Sequence, residues 1–306
     1  MMGYFFQFIS ILCFGISNCL WKIPSKTQPT IKVIMAKAIL TSGIFGVLFF
    51  ISYFPQIQPN CSILDYGLLN TLTAHTDYSP LNICIAIFLS AFSYFGLYFY
   101  NQSLKITKVS LSASVVSFTS LFSVATAILF FGESFKFEFL ISLALGIVGL
   151  KLIGSKNLVG FFTFSINPKD NKGILFAILA AFFWGVTFSL FKLPIQKLGP
   201  LLFSFILEFT VLLMSLFHFR FTKKADEPFM PNFTVPIFFI ALCGIGGVLF
   251  HNIAMRTSVV SILGIMSVLT PVVSTVFAYL YFKEKMNWNH YLGIFLIIAA
   301  ILLLKF

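Results

Sequence analysis

Long apolar runs, each about twenty residues and bounded by polar clusters, recur along the whole chain. They predict ten helices, over about 3–21, 33–53, 81–100, 109–131, 137–154, 172–191, 200–219, 234–251, 259–282 and 288–304. The runs are continuous rather than alternating, which excludes a transmembrane β-barrel, whose strands alternate polar-in and apolar-out. Most links are short. Two are longer: 54–80, with Pro55, Pro59, Asp65, Asp77 and Pro80, and 155–171, which ends Asn167-Pro168-Lys169-Asp170-Asn171. The second divides the chain near its midpoint into a first unit, 1–154, and a second, 172–306.

The two units carry the same signals in the same order. Phe14-Gly-Ile-Ser-Asn-Cys-Leu-Trp-Lys-Ile-Pro24 aligns with Trp184-Gly-Val-Thr-Phe-Ser-Leu-Phe-Lys-Leu-Pro194 at a constant offset of 170 residues. Asn101-Gln-Ser-Leu-Lys-Ile-Thr107 resembles Asn252-Ile-Ala-Met-Arg-Thr-Ser258. Ser120 and Pro271 each precede an acidic residue by 13 positions, Glu133 in Phe131-Gly-Glu and Glu284 in Phe282-Lys-Glu. The expectation is a tandem duplication of a five-helix unit. Because five is odd, the second copy enters the membrane upside down. Inverted repeats of this kind place a substrate site near the midplane between the copies of a secondary transporter.

These residues resemble the EamA-type members of the drug/metabolite transporter superfamily. The resemblance rests on the aromatic-Gly pair and Lys of the first helix of each unit. It rests also on the small-residue helix with its Pro, the following acidic residue, and the Gly-bearing last helix (Gly146, Gly149 and Gly293). It covers essentially the whole chain. It implies ten helices, alternating access, and a central cavity lined by helices 1, 3, 4, 6, 8 and 9. The chain departs from the family pattern in Ser120 opposite Pro271, in the long 54–80 link, and in Lys37 where the family often has Arg.

Composition narrows the class further. Of 306 residues, 59% are apolar, 18% aromatic and 9% charged, with mean hydropathy +0.99. A soluble domain carries about 25% charged residues, so a soluble enzyme and a disordered chain are excluded. The net charge of +11 reads as basic residues flanking spans; no basic run is long enough for nucleic acid. Lys136, Lys192, Lys197, Arg256 and Lys305 fall on the side of the termini. Fourteen others fall on the opposite side, and Lys37 lies within a span. By the positive-inside rule both termini are external, whereas the resemblance implies both cytoplasmic. A reporter on the C-terminus decides between them. Cys13, Cys19, Cys61, Cys84 and Cys243 show no CxxC spacing and read as small buried hydrophobes. The N-terminal run lacks a basic flank and an A-x-A site, and reads as a first span rather than a cleaved leader.

Ionisable groups inside a span cost about 2.5–3.5 kcal/mol at a helix centre, so each is a functional suspect. Glu208, in helix 7, and Lys37, in helix 2, stand at nearly equivalent places in the two units. Glu208 is a candidate for proton coupling, for binding a cationic group, or for an ion pair; Lys37 reads as snorkelling to the interface. Phe14, Trp184, Asn18 and Thr187 are candidate substrate contacts beside Gly15 and Gly185. Tyr94, Tyr98 and Asn101 share one helix face, which points at protein or a cavity; Tyr100 reads as a belt residue. His251 and Asn252, at the expected end of helix 8, are either interfacial or in the substrate path. Ser110, Ser112, Ser114, Ser117 and Ser120 in helix 4, and Ser261, Gly264, Ser267 and Ser274 in helix 9, favour tight crossings, with Ser267 also a candidate contact. Pro271 is a candidate hinge. Glu133 and Glu284 read as structural.

HExxH, GxSxG and Walker A signatures are absent, and all four Asp lie in loops. The sequence therefore reads as an all-α polytopic membrane protein of a bacterial inner membrane, without cofactor or metal. Its expected partners are the lipid bilayer and a small-molecule solute, with pairing of two copies left open. The solute is expected to be an amino acid or related amphipathic metabolite, moved by proton coupling or exchange. The alternatives are a nucleoside-like carrier, such as an S-adenosylmethionine exchanger, and, from another class, a membrane enzyme or a non-transporting scaffold. The first rests on 18 Lys to 2 Arg with high Phe, which fits an AT-rich genome.

Overall fold

The computed structural model describes residues 2–53, 77–107, 109–134, 136–154, 168–222, 231–283 and 288–303. Most of both long links, together with Cys61, Asp65 and Glu284, lies outside them. The described residues form helices: α1 (Met2–Thr27), α2 (Thr30–Tyr53), α3 (Pro80–Ile106), α4 (Val109–Val116 and Thr119–Phe131), α5 (Phe137–Gly154), α6 (Lys172–Leu198), α7 (Pro200–Thr222), α8 (Val235–Thr257), α9 (Val260–Phe282) and α10 (Trp288–Leu302). Seven of them, α1–α3 and α6–α9, are long and apolar enough to cross a membrane; α4, α5 and α10 contribute shorter apolar helices. The protein is a multi-pass, all-helical membrane protein.

Several helices run past the ends of their apolar runs. α3 continues from Tyr100 to Ile106, and α8 from His251 to Thr257. Helical backbone bonds do not require apolar side chains, so a turn of Asn, Gln, Ser and Lys extends the rod. His251 and Tyr100 therefore lie inside their helices and are buried against protein.

The outside of the bundle is apolar, as lipid contact requires: Phe5, Leu129, Phe217, Phe221, Trp288 and Phe295 are all exposed. This also corrects the reading of the cysteines. Cys19 is buried, but Cys13 and Cys243 are only partly covered and Cys84 is exposed, because a small hydrophobe in a bilayer has no need to turn inward.

Local chemistry bends four helices. Pro24 and Pro194 have no N–H to return to the carbonyls of Leu20 and Leu190, and α1 and α6 break at Trp21 and Phe191. The breaks in α4 and α9 share a serine, and in α9 Pro271 adds to it, having no N–H to return to the Ser267 carbonyl. Ser117 Oγ donates to the Ala113 carbonyl at 2.8 Å, and Ser267 Oγ to the Leu263 carbonyl at 2.9 Å. Such back-bonding to the i−4 carbonyl bends helices. In α4 the backbone then tightens to i→i−3 bonds, Phe118 N to Val115 O (3.1 Å) and Ser120 N to Ser117 O (3.0 Å). In α9 Val268 N reaches Ile265 O and Thr270 N reaches Ser267 O, both at 3.0 Å. The bend in α9 thus precedes Pro271, and α4 makes the same bend without a proline.

Packing crosses the sequence. α1 lies against α8 and α9, α6 against α3 and α4, α2 against α7, and α5 against α10. Glycine permits the closest of these approaches. A Cβ at Gly15 would lie 2.5 Å from the Val273 side chain, and one at Gly185 would lie 2.7 Å from the Thr119 carbonyl. Glu133 ties α4 to the start of α9: its carboxylate accepts from the Val260 and Ser261 amides (2.8 and 2.9 Å) and from the Ser261 hydroxyl (2.5 Å). An acid at a helix N-terminus satisfies amides that lack intrahelical partners, so Glu133 is structural, as read.

Candidate functional site

The swapped packing leaves a central cavity of about 950 Å³, its open mouth included, walled by α1, α2, α3, α4, α6, α8 and α9. A neighbouring space of about 530 Å³ shares Phe14, Lys37, Leu97, Trp184, Phe188 and His251 with it and adds Glu208 and Asn252. Aromatic rings from three helices form part of the wall. Trp184 stacks on Phe188, ring centres 5.8 Å apart, and meets Tyr100 at 5.4 Å. Trp184 is seated against Gly96, where a Cβ would lie 2.5 Å from the indole. The missing side chain is what admits the ring.

Of the sequence candidates, Phe14, Asn18, Lys37, Trp184, His251, Ser267 and Pro271 line the larger space, and Glu208 and Asn252 the smaller. Four others are occupied with packing. The Thr187 hydroxyl donates to the Phe183 carbonyl at 2.7 Å. Tyr94 shares a 2.7 Å hydrogen bond with His218 Nδ1, and the Tyr98 ring lies 4.8 Å from the same imidazole. Asn101 accepts from the Ser25 hydroxyl at 3.0 Å and donates to the Leu97 carbonyl. The Tyr94–Tyr98–Asn101 face therefore points at protein, against α7 and α1.

Lys37 does not snorkel. Its Nζ donates to both Glu208 carboxylate oxygens, at 2.5 and 2.6 Å, and Thr41 Oγ1 donates to Oε2 at 2.7 Å. Lys37 is 7% exposed and Glu208 2%. A carboxylate buried on the neighbouring helix outcompetes the distant interface for the ammonium. Asn252 is anchored nearby by a 2.8 Å bond to Ser204 Oγ.

A second polar cluster joins three helices. Ser267 Oγ gives its proton to the Leu263 carbonyl and accepts from Gln7 Nε2 at 3.1 Å; Gln7 Oε1 faces His251 Nδ1 at 3.0 Å. Gln7 was not among the sequence candidates, nor were Trp21, Tyr100 and Phe188, all of which line the cavity; Ser117 and Ser120, for which lining was the alternative to tight packing, line it too. Only Gln7 carried a signal, a polar amide in an otherwise apolar stretch of the first helix. The aromatic ones are indistinguishable in sequence from lipid-facing rings.

The chain matches the model of the EamA-like transporter family over residues 1–155 and 171–306. It belongs to the EamA-like transporter family. An uncharacterized transporter of Archaeoglobus fulgidus is similar, 28% identical over 214 residues, covering 69% of this chain and 71% of its own. A solved crystal structure shares the fold with a TM-score of 0.71 at 17% identity, covering 99% of this chain and 96% of that one. Membership makes transport the general role of this EamA protein.

Proposed function

We propose that this EamA-family protein is a secondary transporter of ten membrane spans, built as two inverted five-helix units, 1–154 and 172–306, joined by residues 155–171. It moves a small amphipathic metabolite of the amino-acid class across a bacterial inner membrane by alternating access. The observation that carries this reading is the central cavity, walled jointly by α1 and α3 of one unit and α6, α8 and α9 of the other. A site between repeats is where rocking of one unit against the other exposes it first to one side and then to the other. The matched bends of α1 with α6 and of α4 with α9 support the two-unit reading.

The lining suits a solute with one apolar and one polar end. Phe14, Trp184 and Phe188 offer ring faces, while Asn18 and His251 offer polar groups. Glu208 is held by Lys37, so proton coupling through Glu208 requires this pair to open; exchange requires no such step. Counterflow in proteoliposomes, screened over amino acids and nucleosides, tests the proposal. Accelerated uptake of an amino acid against a preloaded pool is the expected result. Flux of nucleosides alone would replace the substrate class, and no flux of any solute by folded protein would refute the transporter reading.

A further inference from the structure

The Ser267–Gln7–His251 chain fixes the hydrogen-bonding state of the histidine. A hydroxyl has one proton, and Ser267 donates its own to the Leu263 carbonyl, a bond at the bend of α9. Ser267 can therefore only accept from Gln7, which turns the Gln7 amide nitrogen toward Ser267 and its carbonyl oxygen toward His251. A carbonyl oxygen only accepts, so Nδ1 of His251 carries the proton. In the neutral ring Nε2 is then a bare acceptor. His251 is 6% exposed and forms part of the wall of both spaces, and its Nε2 has no hydrogen-bond partner among the described residues. The imidazole is flanked by the rings of Phe188, 5.5 Å away, and Phe14, 6.5 Å away.

A buried acceptor without a partner is unfavourable and calls for a donor. The surroundings specify which kind. Aromatic faces attract cations, and the one carboxylate facing this space among the described residues, Glu208, is already neutralised by Lys37. An anion would meet no free positive group there, whereas an ammonium would find ring faces and, once the contacts that cover Nε2 part, one lone pair without a partner.

We infer that His251 Nε2 is the acceptor that reads a primary ammonium group on the transported solute, and that Ser267 positions it for this task through Gln7. The inference rests on the transporter reading for its setting, but its first test does not need flux. In full-length protein carrying ring-¹⁵N histidine in lipid nanodiscs, the His251 signals are assigned by their loss in His251→Phe. The expected spectrum shows a protonated Nδ1 and a bare Nε2. Titration with 2-phenylethylamine moves the Nε2 resonance saturably; 3-phenylpropionate, with the same ring but no amine, leaves it in place. His251→Phe weakens amine binding about tenfold or more, the loss of one hydrogen bond to a charged group. Ser267→Ala leaves the imidazole intact but frees Gln7 to flip, so His251 shows a mixture of tautomers and amine binding weakens. A protonated Nε2 in the unaltered protein, equal binding of the propionate, absence of a saturable amine shift, or an unchanged tautomer in Ser267→Ala would each overturn the inference. Failure of the transporter reading looks different: the spectrum and the amine shift are as expected, with no counterflow.

Discussion

Two of the polar clusters within the apolar bundle are built on opposite plans. Lys37, Glu208 and Thr41 form a closed set between α2 and α7: opposite charges meet, and both carboxylate oxygens have donors. Ser267, Gln7 and His251 form an open chain across α9, α1 and α8, which begins at the Leu263 carbonyl and ends on an unpartnered nitrogen. The closed set has little left to offer a solute and reads as a clasp. The open chain holds one unmet valence at the cavity. Scarce charge in a span marks a residue for attention, yet here the charged residues satisfy each other and the neutral ones retain the capacity to bind.

Removing one partner of the closed set is expected to have the largest effect. Glu208→Gln strands the Lys37 ammonium in the interior and should destabilise the protein by about 3–5 kcal/mol, read by reversible detergent–SDS unfolding. Lys37→Met with Glu208→Leu should recover most of that loss; a harmless Glu208→Gln would mean that the set is not closed. Gln7→Leu cuts the open chain and leaves both His251 nitrogens unmet, with an expected loss of about 1–3 kcal/mol in the same assay. Pro271→Ala should be the mildest, below about 1 kcal/mol, with counterflow retained. α4 breaks in the corresponding place with the same serine back-bond and Ser120 instead of proline, so the α9 break does not rest on the proline alone. A large effect of Pro271→Ala would return the hinge to the proline.

The apolar runs and aromatic-Gly pairs made the helices and their first-order placement legible, because lipid demands a long apolar rod and close helix approach demands a missing Cβ. Helix ends were less legible. Asn101–Ile106 and Lys192–Leu198 are helical although they leave the apolar pattern. Lys37 and Glu208 were both visible as coupling or ion-pair candidates, but their contact was not, since it joins positions 171 residues apart. The serine bends were hidden because serine is equally common where helices merely cross closely. Gln7 was passed over as a single polar residue near one end of an apolar run, and its meaning arises only from Ser267 and His251, both more than 240 positions away.

The crossing pattern has a consequence for how the chain is made. α1 leaves the ribosome before the other described helices, yet its neighbours are α8 and α9: Ser10 donates to the Gly247 carbonyl and Ser274 to that of Gly15, spans of 237 and 259 residues. During synthesis α1 must wait in the bilayer, with Gln7 and Ser10 unpaired, until nearly the whole protein has followed. Contacts of such long range form slowly, so final assembly belongs to the last helices inserted, and a chain stopped after residue 154 would hold α1 and α3 without the surfaces they are shaped to meet.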